Sequence, residues 1–152
     1  MFEQRRKKLT RLLKENDIDA AVLVPGSNMY YFTGLKLKQS ERLTLAVITQ
    51  ESKTFFISPQ VELSKVKEIT AENIFWYTDE QGPSEALVEL KNAAGALTKI
   101  GVEYNLMRIM ELKGAETLSA AAKDISDVID TLRIHKDKQE IEQMQHAVKI
   151  LE

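Results

Sequence analysis

Hydrophobic positions along the chain switch repeatedly between helical spacing and short unbroken runs, which predicts alternating helices and strands. Phe2, Leu9, Leu12 and Leu13 fall on one side of an opening helix that ends near Glu15-Asn16-Asp17. Its basic residues, Arg5, Arg6, Lys7 and Lys8, are expected mostly on the solvated faces. Ile18 to Val24 then reads as a buried strand closed by Pro25-Gly26. Ser27 is placed to cap a short helical turn through Thr33, and Gly34 to stop it. A polar loop, Lys36 to Arg42, leads into Leu43–Thr49 and Lys53–Ser58, two β-rich runs separated by Gln50-Glu51-Ser52 and read as a hairpin.

Beyond Pro59, Val61–Glu68 predicts a short helix and Asn73–Thr78 a strand closed by the turn cluster Asp79–Pro83. Ser84 is expected to cap a helix carrying Leu87, Leu90, Ala94 and Leu97 on one face. Lys99–Glu103 reads as a strand, and Leu106–Lys113 as a helix stopped by Gly114. A further helix over Ala115–Lys123 and a last strand over Ile125–Val128 complete the series. Asp137 and Glu140 have the spacing of a capping box that opens a helix with Ile141, Met144, Val148 and Leu151 on one face. That stripe runs on without a stop signal, which fits either a chain cut inside a longer polypeptide or a helix fraying at a natural terminus. The fold class is therefore α/β, a single domain with a mixed, partly antiparallel sheet flanked by helices.

Composition narrows the function classes. A length of 152 residues suits one domain with its own core. Lys and Arg total 21 against 23 Asp and Glu, so no chain-wide basic field exists to hold nucleic acid or an anionic membrane. The longest unbroken apolar stretch, Ala20 to Val24, is far short of the ~18 residues of a membrane span. With no cysteine, disulfides, thiolate metal sites and cysteine nucleophiles are all absent, and a cytoplasmic location is the expectation.

Local catalytic signatures are missing. The six glycines form no phosphate-binding loop, and no serine sits in a nucleophile elbow. His135 and His146 lack metal-ligand spacing; Glu142 and His146, one helical turn apart, are expected to be a solvated surface pair. Within Tyr30-Tyr31-Phe32 the aromatics cannot all face inward, so one tyrosine at the rim is expected; Phe75-Trp76-Tyr77 should likewise be divided between core and surface.

Two segments are less generic. Ser27-Asn28-Met29-Tyr30-Tyr31-Phe32-Thr33-Gly34-Leu35 resembles the Asn-x-x-Tyr-hydrophobic-Thr-Gly-Phe segment of the N-terminal domain of the creatinase/prolidase family. Ile129 to Lys136, leading to Glu140-Ile141 and Met144 to Ala147, resembles the junction between that domain and the family's catalytic domain, and Lys99–Glu103 is similar to a third family segment. The resemblance implies a ribonuclease H-like fold over residues 1–136, with 137–152 as the linker and first helix leading into a catalytic domain of pita-bread architecture. It implies no catalytic, cofactor-binding or metal-ligating residue in this chain. Two divalent ions (manganese, cobalt or zinc) are expected in the downstream domain of a Xaa-Pro dipeptidase or aminopeptidase.

The domain's implied role is dimerisation, as a homodimer, and restriction of access to an active site that takes Xaa-Pro dipeptides. Tyr30, Lys36, Lys38, Glu41 and Arg42 are the candidate substrate-access or dimer residues. Many prolidase-like members carry Pro-His-Glu-Arg where this chain has Gln39-Ser40-Glu41-Arg42, so Ser40 removes a titratable group. The expected partners are the catalytic domain of the same chain and a second copy, with no nucleic acid and no membrane. The alternatives are a free-standing α/β interaction or small-molecule-binding module, and the N-terminal domain of a creatinase-like amidinohydrolase.

Overall fold

In the computed structural model, which describes residues 1–151, the apolar run after the opening helix becomes the centre of a sheet. β1 (Ala20–Leu23) is buried on both faces, because Ala20 and Val22 point to one side and Ala21 and Leu23 to the other. β2 (Leu45–Thr49) lies antiparallel to β1 with Val22 opposite Val47, and β3 (Thr54–Pro59) lies antiparallel to β2, as the hairpin pattern requires. Ser52, with φ 63°, makes the turn between them. β4 (Ile74–Tyr77) adds parallel to β3; β5 (Lys99–Val102) and β6 (Ala121–Asp124) add parallel on the other side of β1. The order is β4-β3-β2-β1-β5-β6, so β2 runs against five strands whose carboxyl ends share one edge of the sheet.

Helices cover both faces, giving three layers. α1 (Phe2–Glu15), α2 (Ser27–Thr33), α3 (Leu63–Ile69) and α6 (Ser126–Ile134) pack on the face carrying Ala21, Leu23, Ile48 and Phe56. Leu9 and Leu13, one turn apart on α1, are fully buried there and contribute about 1.5–3 kcal/mol each. α4 (Ser84–Ala94) and α5 (Ile109–Glu116) cover the opposite face through Ala86, Leu87, Leu90 and Ala115. α7 (Lys138–Leu151) buries none of its residues. Gly34 ends α2 at φ 80°, and its missing Cβ admits the Phe2 ring, whose Cε2 lies 2.9 Å from where that atom would be.

Several expectations need correction. Residues 115–123 are not a helix: α5 continues through Gly114 to Glu116, and Ala121–Asp124 is strand β6. Gly114 serves packing rather than termination, since a Cβ there would meet the Leu43 side chain at 3.0 Å. Ile125–Val128 is not a strand either. Ile125, Val128, Ile129 and Leu132 have helical spacing and carry α6 onto the core shared with α1. Asp124 starts that helix by accepting the Ser126 N–H at 3.0 Å. Ser27 and Ser84 are first helical residues rather than caps; Gly26 and Pro83 precede them without a side-chain cap bond. Arg5, expected on a solvated face, is only 7% exposed. The Asp137–Glu140 capping box is present, with reciprocal backbone bonds of 2.8 and 2.9 Å.

Candidate functional site

At the carboxyl edge of the sheet, β5 is followed directly by Glu103, an acid buried completely. Its carboxylate accepts the Val24 N–H at 3.0 Å and the Asn28 amide at 2.8 Å. Burial pushes the Glu103 carboxyl above the usual range; the two donors pull it back, and the neighbouring Glu111 charge adds to the rise. The Asn28 carbonyl in turn accepts from Arg133 at 2.7 Å, and the same nitrogen of Arg133 donates to Ser27 Oγ at 3.1 Å. One polar chain thus ties the end of β5, the start of α2 and the last turn of α6. Beside it, the Tyr31 ring has Arg5 at 4.0 Å and Arg133 at 5.4 Å from its centroid. Burial and the Glu140 carboxylate raise the Tyr31 hydroxyl pKa.

This frame fixes α2, and the chain leaving it forms one wall of a cleft of about 800 Å³ lined by Ser27, Tyr30, Lys36, Lys38, Glu62 and Lys65. The cleft lies beyond the ends of β1 and β3, the edge where open α/β sheets ordinarily bind ligands. Tyr30 is the rim aromatic, 46% exposed, while Tyr31 and Phe32 face the core. Lys36 and Lys38 are exposed, and the buried Leu37 between them anchors the wall.

Of the five residues singled out in the sequence, Tyr30, Lys36 and Lys38 therefore share one cleft. Glu41 and Arg42 line a separate cavity of about 350 Å³ with Tyr77, Asp79 and Met110. There Arg42 is engaged by Asp79 through a bidentate pair, Nε–Oδ1 at 2.8 Å and Nη2–Oδ2 at 2.9 Å. That hydrogen bonding holds the Asp79 carboxyl below its usual range. The Tyr77 hydroxyl, donating to the Leu43 carbonyl at 2.8 Å, is pushed up to about 12 by burial.

Glu103 and Asn28 stand within segments that carry the resemblance without being marked as side chains of interest, and the Arg108–Glu111 pair stands outside them. An acid closing an apolar strand is one signal for the first, and an i,i+3 Arg–Glu pair at a helix start is another for the last. Glu142 and His146 lie on the exposed surface of α7, and among the described residues no three His, Asp or Glu side chains gather as a metal site.

Five parallel strands, one reversed strand and helices on both faces define a three-layer α/β domain with an open cleft at the carboxyl edge of its sheet. The chain belongs to the creatinase/prolidase family: residues 5–135 match the Creatinase/Prolidase N-terminal domain. It is 26% identical over 152 residues to a Xaa-Pro dipeptidase of Pyrococcus horikoshii, covering 99% of this chain and 40% of that protein. The crystal structure of a dipeptidase from Pyrococcus horikoshii OT3 superposes with a TM-score of 0.82 at 30% identity, over 97% of this chain and 41% of that one. A recombinant prolidase from Thermococcus sibiricus shares the fold, with a TM-score of 0.84 at 24% identity over 99% of this chain and 42% of that one. The chain spans about two fifths of the length of the curated relatives it matches. Among the described residues, no helix is long and apolar enough to cross a membrane.

Proposed function

We propose that this chain is the non-catalytic N-terminal domain of a metal-dependent Xaa-Pro dipeptidase, acting in dimerisation and in restricting access to the active site. The observation that carries the reading is the match of nearly the whole chain to Xaa-Pro dipeptidases more than twice its length. The cleft wall at Tyr30, Lys36 and Lys38 would face the substrate's path, admitting a dipeptide and excluding longer chains by shape. Catalysis, and the pair of manganese, cobalt or zinc ions, belong to the larger part of such a protein. We assign residues 137–152 to the linker and first helix of that part, with the exposed stripe of α7 covered by it. A homodimer in the cytoplasm completes the reading.

The test compares residues 1–152 with the longest polypeptide encoded in the same reading frame, each assayed with Leu-Pro and added manganese. Hydrolysis by the longer polypeptide alone is the expected result. Turnover by residues 1–152 would overturn the non-catalytic role. A frame that closes at Glu152 would favour a free-standing binding module instead.

A further inference from the structure

We propose that Glu111, with Arg108 and Gln39, is a positioning residue that holds residues 36–42 as a fixed wall of the cleft rather than a flap; the proposal rests on reading this cleft as the access side of a peptidase.

Glu111 lies at the start of α5, yet only 1% of it is exposed. A buried carboxylate is costly unless donors saturate it. Here Arg108 supplies its backbone N–H at 2.9 Å, Nη2 at 2.6 Å and Nε at 3.2 Å. The remaining donor comes from the loop: Gln39 Nε2 reaches both carboxylate oxygens, at 2.9 and 3.2 Å. The same nitrogen also donates to the Leu106 carbonyl at 3.0 Å, and Arg108 Nη2 donates to the Ser40 carbonyl. The far end of the segment is pinned independently by the Arg42–Asp79 pair.

Gln39, Ser40 and Arg42 are thus all tied to other elements, while Lys36 and Lys38, which line the cleft, take part in no ion pair among the described residues. Opening the segment as a flap would take from the buried Glu111 carboxylate the donor that Gln39 supplies and break several charge-assisted bonds at once. The shape of the opening is therefore set in advance. Length selection follows from a fixed wall, and the two lysines are presented from it in a constant geometry.

Gln39→Ala tests this at an exposed residue, removing the loop's donor to Glu111 while leaving the Arg108 donors in place. In residues 1–152, trypsin is expected to cut after Lys36 and Lys38 about tenfold faster in Gln39→Ala than in the parent, with cutting after Lys149 on exposed α7 unchanged. Glu111→Gln, which turns one acceptor into a donor facing Arg108 and Gln39, is expected to do at least as much. Parent-like cutting at Lys38 in Gln39→Ala would overturn the latch.

In the longer polypeptide, Gln39→Ala is expected to lower KM for a Xaa-Pro tripeptide while leaving kcat for the dipeptide little changed, so the dipeptide-to-tripeptide ratio of kcat/KM falls about tenfold. A loosened loop with an unchanged ratio would overturn the assigned selectivity and leave the access reading, not the latch, at fault.

Discussion

Glu103 shows how a single ionisable group can organise an edge of the sheet at some cost. Its carboxylate satisfies the Val24 N–H and the Asn28 amide, two donors that would otherwise be buried unpaired. Removing it with Glu103→Ala strands both, and a loss of about 2 kcal/mol in denaturant unfolding is expected. The charge itself is unfavourable there, because burial raises its pKa. The folded chain then binds the proton more tightly than the unfolded chain, so stability from this group is complete below the ordinary Glu value of about 4.3 and declines as pH rises through the raised folded value. Glu103→Gln keeps the shape and loses one acceptor. It is expected to be less stable than the parent at low pH but to lack this decline, and urea midpoints measured from pH 4 upward read both effects. A parent-like slope in Glu103→Gln would mean that another group titrates in that range.

Among the elements, α7 is attached to the body in an unusual way. None of its residues is buried, and the link runs through Arg5, which donates to Asp137 Oδ2 at 3.0 Å and to the Tyr31 carbonyl at 3.1 Å. Glu140 lies 3.5 Å from the same guanidinium. The capping box therefore both starts the helix and aims it. Asp137→Asn preserves the cap, because its side-chain carbonyl still accepts the Glu140 N–H, but it loses the ion pair with Arg5. The expected outcome is a loss of about 1 kcal/mol, with faster amide exchange at Ile141 and Glu142; Arg5→Ala should cost about 2–3 kcal/mol, since packing on Tyr31 goes as well. The Glu140 N–H, with help from Arg5, holds the Asp137 carboxyl below its usual range. Its contribution is thus present above about pH 3.9 and is lost as pH falls through the lowered value, and Asp137→Asn should remove that acid limb. Local patterns such as this cap, the 43–58 hairpin and the stripe of α4 were readable in the sequence because each is decided within a few residues. The stretch from 115 to 134 was not. Ala120-Ala121-Ala122 has helical composition, but pairing with β5 makes a strand from Ala121 onward, and that partner lies some twenty residues upstream. The burial of Arg5 is not legible locally for a similar reason, since Tyr31 and Asp137, whose oxygens accept from its guanidinium, are distant in sequence. Of the cleft lining, Tyr30, Lys36 and Lys38 lie on one continuous segment, whereas Glu62 and Lys65 join them only when the sheet brings separate loops together, as it does for the Arg42–Asp79 pair in the neighbouring cavity.

At the scale of the whole molecule, the exposed side of α7 separates what the domain needs for folding from what it offers to other structure. Ile141, Met144, Val148 and Leu151 recur at three and four residues and range from 44% to 88% exposed. Such a stripe adds nothing to the core beneath it, so Met144→Glu with Val148→Glu is expected to leave the unfolding free energy of residues 1–152 within about 0.5 kcal/mol of the parent. Residues 1–152 of the parent should nevertheless self-associate through the stripe at high concentration, and the charged pair should abolish that association in sedimentation velocity. If the stripe is the seat of a catalytic domain in a longer polypeptide, the same two charges become buried there without partners. The cost then rises to several kcal/mol and dipeptide hydrolysis is lost with it. One pair of substitutions, silent for folding in residues 1–152 and severe in any longer polypeptide of the same frame, distinguishes a docking helix from an ornamental one. Equal stability losses in both polypeptides would place α7 in the core of this domain, and equal tolerance in both would leave it facing solvent in each.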